Sequence, residues 1–301
     1  MMNDASHSTS QLLAGGVRCD QAQPGWTGCD RKANSVSQIL DPLADPVPDE
    51  VPLPHAPLVR VIAQVRFPPV MSIERPDFVG RFQEAIRSSY PVLRPEREVG
   101  TVVGAQGLPQ MQSGSIWRFH DSPGIWRASL STNFLALETI GYTSRDDFLA
   151  RLVSLLQALD AHIGLGLVDR LGVRYIDRIP WEGPVAARSM VRPEIMGVLA
   201  APFADASAQA VTETVFRLGQ TGSRLKARWG TIPAHHTIDP ATLEPVDEST
   251  WVLDLDAFTT EARPMDVDSI ATQARHFAER IYAFFRWSVT DEFLRRYGGE
   301  V

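Results

Sequence analysis

Four arginines stand out in this sequence, because each lies on a segment with strand-like alternation and faces away from its apolar neighbours. These are Arg66, Arg118, Arg174 and Arg217. Guanidinium groups bind phosphate and carboxylate through charge-assisted, bidentate hydrogen bonds. Four of them around one groove would hold an anionic ligand. The competing interpretation is a solvated sheet face on which Asp177, Glu138 or Asp254 forms salt bridges with the arginines.

A pair of carboxylates offers a second kind of chemistry. Asp254 and Asp256 are two residues apart on a predicted strand and point to the same side, whereas Trp251, Leu253 and Leu255 face the core. Paired carboxylates on one face can hold Mg²⁺ or share acid and base roles. Because no third acidic or histidine ligand follows at a diagnostic spacing, an acidic strand face is the commoner interpretation. We expect no cofactor.

Aromatic residues on predicted strands are the third candidate, since exposed rings beside arginines can stack single-stranded bases. They are Trp117, Phe119, Trp126 and Trp229. Aromatic residues on strands more often belong to the core. The formal net charge of the chain is −7. An acidic protein has no general attraction to duplex nucleic acid, so we do not expect duplex nucleic acid as a partner.

The segments that would carry these residues divide into two halves, of which the first covers residues 58–168. Its opening segment, 58–67, alternates strictly and predicts a half-buried strand. The segments that follow are a helix over 76–90, strands over 115–120, 126–131 and 134–142, and a helix from a capping box at Ser144 and Asp147. This half therefore has the order β-α-β-β-β-α.

The second half, over residues 169–301, shows the same order. Its segments are strands over 170–179, 212–218, 224–232 and 250–258, a helix near 193–203 and a final helix over 267–297. Short sequence echoes, such as residues 65–67 and 173–175, support a tandem pseudo-repeat. We expect an α+β fold with antiparallel sheets. At about 1.5 Å per residue the final helix would span roughly 45 Å and cross both halves or reach a second subunit.

The first 57 residues differ from the rest in composition. They are rich in Ser, Asp, Gln and Gly and end in a series of six prolines, so we expect a disordered leader. Both cysteines, Cys19 and Cys29, lie in it, which leaves the core without a disulfide or a cysteine-ligated metal. This pattern favours a cytoplasmic protein. No run of about 18 apolar residues indicates a membrane span.

Several of these segments also resemble a known family. The shared features are Arg66-Phe67-Pro68 after the opening strand, Trp117-Arg118-Phe119, Tyr142-Thr143-Ser144 with Asp147-Phe148, the strand over 171–179 and the closing aromatic helix. Together they resemble a sporadically distributed bacterial family of conserved hypothetical proteins. The resemblance covers the core without the leader, and it implies the same fold but no catalytic residues. The patchy distribution of that family implies a setting of mobile or defence-associated genes.

These observations favour a non-enzymatic binding or regulatory protein. Its partner would be a protein, a second copy of the chain or a small anionic ligand, in a defence or toxin-control setting. The alternative is a metal-dependent enzyme that acts on a nucleotide or phosphorylated substrate. In that case the arginines would clamp the anion, and Asp254 and Asp256 would hold the metal.

Overall fold

The computed structural model describes residues 41–103, 109–219 and 222–301, and its main element is a single antiparallel sheet of nine strands. Its strands are β1 (Leu58–Arg66), β2 (Val92–Val103), β3 (Pro109–His120), β4 (Trp126–Ser131), β5 (Phe134–Thr139), β7 (Arg170–Pro180), β8 (Ala210–Leu218), β9 (Ser223–Ile232) and β10 (Thr250–Thr259). Across the sheet they follow the order β2-β3-β4-β5-β1-β7-β10-β9-β8. Two short strands, β6 (Leu167–Val168) and β11 (Arg263–Pro264), pair separately. The predicted α+β class with an antiparallel sheet is confirmed.

Helices cover one face of this sheet. They are α1 (Pro76–Ile86), α2 (Arg145–His162), α3 (Pro184–Met190), α4 (Pro193–Met196), α5 (Val267–Ser288) and α6 (Asp291–Arg296). The alternation in β1 decides which face they cover, because Val61, Ala63 and Val65 are fully buried beneath the helical layer. Phe148 of α2 and Phe277 of α5 belong to the same core. No helix within the described residues is long and apolar enough to cross a membrane.

Local signals in the sequence place both ends of α2. The Ser144 hydroxyl accepts a hydrogen bond from the Asp147 backbone N–H at 3.1 Å, as the predicted capping box requires. At the other end Gly164 adopts a positive φ of 70°, and its N–H bonds to the Leu159 carbonyl. Glycine enters this left-handed conformation without steric cost, which stops the helix.

The first half contains a strand that the alternation did not reveal. Strand β2 lies at one edge of the sheet and pairs only with β3 among the described strands. It carries Pro95 between the charged Arg94 and Glu96. Proline and charge are both tolerated at a sheet edge, where one side of the backbone needs no ladder partner, so the segment lacks the usual strand signature.

The final helix is shorter than predicted, since α5 ends at Ser288 and α6 begins at Asp291. Val289 between them forms an isolated bridge with Val191. Thr290 then accepts a hydrogen bond from the Phe293 N–H and starts α6 as its N-cap. The prediction of one continuous helix of roughly 45 Å was therefore wrong, because β-branched residues and a new cap interrupt it.

The two halves are similar in order but not identical. In the first half four strands, β2 to β5, form a meander whose last strand pairs with β1. In the second half three strands, β8 to β10, do the same with β7. Strands β1 and β7 meet at the centre of the sheet. The first half therefore has one strand more than β-α-β-β-β-α, and the duplication stays a prediction.

The predicted leader falls partly outside the described residues, which begin at 41. Residues 41–57 differ from the expectation, because they pack along α5. The Arg280 guanidinium donates to the Asp45 carbonyl at 2.8 Å, and the Tyr282 hydroxyl accepts from the Val51 N–H at 2.8 Å. Closely spaced prolines favour an extended segment, and here helix side chains satisfy its backbone groups.

Candidate functional site

All four predicted arginines project from the sheet face opposite the helices. One cross-strand row runs the full width of that face: Arg94, Arg118, Ser129, Ala136, Gln64, Gly172, Phe258, Arg224 and Arg217. Seven strand spacings separate Arg118 from Arg217, or about 33 Å. The four arginines share a face but do not line one groove, so that prediction is corrected. The halves meet at β1 and β7, so the strands that carry Arg118 and Arg217 lie toward opposite edges of the sheet.

Arg66 and Arg174 flank the centre of this row and have different surroundings. Arg66 is exposed at the end of β1, directly opposite Arg170, and no carboxylate of the described residues pairs with its side chain. Arg174 lies opposite Ile62 and is held in a network of ion pairs. Of these two arginines, only Arg66 is available to a ligand.

The network around Arg174 centres on Asp254, which is 1% exposed. Arg174 donates from Nε to Oδ1 at 2.7 Å and from Nη2 to Oδ2 at 2.9 Å. Arg228 of β9 donates to Oδ2 at 2.5 Å, and Arg174 also donates to Asp239 at 2.8 Å. Burial by itself would lower the pKa of Arg174, but these carboxylates raise it above its ordinary value.

The loop over residues 233–249 explains why these groups are buried on a face without helices. Leu243 and Ile238 of the loop pack on Ile176 and Val252 of the sheet. Asp239 of the same loop lies over the ion pairs. The loop therefore shields from water a network that would otherwise form part of an open face.

Asp256 is engaged in a similar way. It accepts a hydrogen bond from Arg170 at 3.2 Å, and burial raises its pKa although the nearby arginines partly offset this. Arg170 also lies over the Phe258 ring at 4.7 Å, in the space that the missing side chain of Gly172 leaves open. No group of three or more potential metal ligands occurs in the described residues. Because guanidinium groups take up both oxygens of Asp254, the geometry does not favour the predicted metal pair.

The predicted salt-bridge partners have separate outcomes. Glu138 pairs with Arg60 and Arg127 on the open face, as expected of a solvated sheet. Arg118 is likewise neutralised, by Glu96 at 3.0 Å. Asp177 does not neutralise the arginines, because it lies on the opposite, helical side of β7. That part of the prediction was wrong.

Arginines also oppose one another directly at three places on the open face. The pairs are Arg94 with Arg118, Arg66 with Arg170, and Arg224 with Arg217. In the first two pairs a carboxylate neutralises one member. Arg217 and Arg224 are both exposed, and no carboxylate in the described part of the chain pairs with either. Like charges directly opposite destabilise a sheet, so an anion at this place would be favourable.

The candidate aromatics lie on the other side of the sheet. Trp117, Phe119 and Trp126 are buried beneath the helices. Trp229 donates its indole N–H to the Ile195 carbonyl at 2.8 Å and packs against Phe284. These four rings therefore belong to the core, as the commoner interpretation held, and do not form a stacking platform for bases.

The helical side contains a cavity of about 370 Å³ that the sequence did not indicate. Residues 50–58, the start of α2, β7 and α5 surround it. Asp177 lines this cavity, 7% exposed, and burial raises its pKa to about 7. The sequence does contain a signal for the unusual position of Asp177, because this residue alternates with Leu171, Val173 and Tyr175 on the apolar side of its strand.

No family model matches the chain, and no curated protein matches it significantly.

Proposed function

We propose that this chain is a non-enzymatic binding protein whose open sheet face docks an acidic segment of a protein partner. The observation that carries the proposal is the pair Arg217 and Arg224, exposed and directly opposed without a carboxylate partner in the described residues. Arg66 and Arg94 add exposed guanidinium groups to the same face. Carboxylate side chains on a partner would bind these groups bidentately.

The charges on this face favour a protein partner over nucleic acid. Glu96, Glu138 and Glu213 lie among the arginines, so positive charge occurs in separate places and not as a continuous stripe. A phosphate backbone carries closely and evenly spaced charge and would meet these carboxylates. The burial of Trp117 and Trp126 also removes rings that could stack bases. An acidic peptide can match separate arginines residue by residue.

Fluorescence anisotropy with a labelled oligoglutamate peptide tests the proposal. We expect binding by the full chain at low salt, and a loss of about tenfold in affinity in the double variant Arg217→Ala/Arg224→Ala. Because the contact is electrostatic and exposed, affinity falls as salt rises. The matched control is Arg81→Ala/Arg87→Ala, at α1 and the residue that follows it, which removes the same charge from the helical side of the molecule and leaves binding unchanged.

Two outcomes would contradict the proposal. One is equal loss of affinity in the two double variants, which would indicate attraction to overall charge. The other is stronger binding of an oligothymidylate of equal charge, which would favour single-stranded nucleic acid as the ligand.

The wider setting of this function is part of the same proposal. A cytoplasmic location is supported by the restriction of both cysteines to the first 29 residues. Origin by duplication is supported by the two meanders, each returning to pair with the first strand of its half. A defence or toxin-control role rests on the family resemblance alone.

A further inference from the structure

The cavity on the helical side is a second site, separate from the arginine face because the sheet lies between them. We propose that it binds a small primary amine with an apolar body, whose ammonium group is held by the Asp177 carboxylate.

The carboxylate of Asp177 is the first reason. It is more than nine-tenths buried and lines the cavity, yet no group in the described residues donates a hydrogen bond to it or forms an ion pair with it. A buried carboxylate without a donor is costly, and a ligand with an N–H group removes that cost. A β-bulge in β1 next to Leu58, which pairs with Asp177, shapes the backbone here. Bulges often re-aim side chains beside binding sites.

The basic residue that lines the cavity is already matched, which favours a cation over an anion. Arg145 lines the cavity at the start of α2 and pairs with Glu50 at 2.6 Å. The carboxylate of Glu279 on α5 lies 3.8 Å from the Arg145 guanidinium and is a second ion-pair partner. With Arg145 balanced by these two carboxylates, Asp177 is left without a counterion among the described residues that line the cavity. An incoming carboxylate would have to displace Glu50 and would lie near Asp177.

The remaining walls suit an apolar body with aromatic contacts. Leu255, Ile281 and Phe285 contribute apolar surface. The hydroxyls of Tyr142 and Tyr175 hydrogen-bond each other at 3.2 Å, and that of Tyr282 bonds to the backbone of residues 49 and 51. The hydroxyls are thus occupied and the rings remain as walls, which attract an ammonium group through cation–π interactions. A volume of about 370 Å³ suits a small ligand.

A matched set of three probes tests the proposal by isothermal titration calorimetry on the full chain. These are 2-phenylethylamine, the neutral 2-phenylethanol and the anionic 3-phenylpropionate. About pH 8 is suitable, because Asp177 is then ionised and the amine is protonated. We expect the amine to bind at least about tenfold more tightly than the alcohol, and the carboxylate not to bind.

Two variants separate the site from a general effect on folding. Asp177→Asn should lower the affinity for the amine to that of the alcohol while leaving the alcohol unchanged. Ala278→Phe fills the cavity from α5 without altering Asp177 and should abolish binding of both probes. Circular dichroism checks that each variant is folded.

Equal binding of amine and alcohol by the unmodified chain would overturn the proposal, and so would full amine affinity in Asp177→Asn or tighter binding of the carboxylate. None of these outcomes affects the anisotropy experiment on the arginine face, so the two proposals succeed or fail separately.

Discussion

Arg174 and Asp254 form a two-pronged ion pair across β7 and β10, in which Nε and Nη2 each donate to a different carboxylate oxygen, at 2.7 and 2.9 Å. Their Cα atoms are not direct partners, because Asp254 lies opposite Ile176 and Arg174 lies opposite Asp256. The contact is therefore diagonal, and a long guanidinium side chain can span that distance. Arg228 approaches Asp254 from the other neighbouring strand, so three strands are tied together at one carboxylate.

The first prediction concerns this carboxylate. Asp254→Asn keeps the size of the side chain but leaves Arg174 and Arg228 without their main counterion in a buried place. Breaking a buried ion pair in this way costs about 3 to 5 kcal/mol. Urea unfolding should show the loss as a lower midpoint at an unchanged slope.

The control for this prediction is Asp146→Asn, because Asp146 pairs with Arg275 at a similar distance of 2.7 Å but is exposed. An exposed pair contributes about 1 kcal/mol or less. If the two variants lost equal amounts of stability, the argument from burial would be wrong.

The second prediction concerns the pH dependence contributed by Asp177. Its pKa rises from an ordinary value near 3.8 to about 7 on folding, since burial penalises the ionised form. Below the ordinary value the group is protonated in both states and costs nothing. As pH rises toward 7 the unfolded chain releases the proton while the folded chain keeps it, so stability falls. Above pH 7 the full cost of about 4 kcal/mol is present.

Asp177→Asn removes this cost. Its free energy of unfolding should lie within about 0.6 kcal/mol of that of the unmodified chain near pH 4 and exceed it by up to about 4 kcal/mol near pH 8. Glu50, Arg145, Tyr142, Tyr175, Tyr282 and Tyr297 are the other titratable groups around this region and are present in both proteins. A stability difference that stayed constant with pH would contradict the assignment. The exposed Asp160→Asn on α2 controls for removal of one negative charge.

The third prediction concerns residues 41–57. A chain that begins at Leu58 loses the carbonyl acceptors of Arg280, the backbone partners of Tyr282 and the carboxylate of Glu50 that pairs with Arg145. At about 1 kcal/mol per hydrogen bond, with more for the charged groups, we expect a loss of roughly 3 kcal/mol or more relative to a chain that begins at Asp41.

Thermal unfolding of the two shortened chains measures this difference. Tyr282→Phe in the longer chain should reproduce part of it, about 1 to 2 kcal/mol, because it removes two of the hydrogen bonds and keeps the ring. Equal stability of the two chains would mean that residues 41–57 contribute nothing to the fold.

Sequence periodicity determined much of the fold, because a period of two records which side of a strand is buried. It correctly placed Arg66, Arg118, Arg174 and Arg217 on the side away from the core, and Asp254 and Asp256 with them. Helix α2 could also be predicted from the sequence, because the capping box at its start and the glycine at its end are local signals. Strand β2 was missed because an edge strand with proline and charge lacks this periodicity.

Only the tertiary structure decided which of these residues meet. Whether Arg118 lies beside Arg217 or about 33 Å away depends on which strands are neighbours, and strand order is a long-range property that no local pattern contains. The same holds for Asp254, whose counterions Arg174 and Arg228 come from two other strands. Asp177 faces a cavity because residues 50–58 and α5 enclose the space above it. The sequence therefore determined the side of the sheet to which each residue points. The packing of distant segments determined which groups each residue contacts on that side.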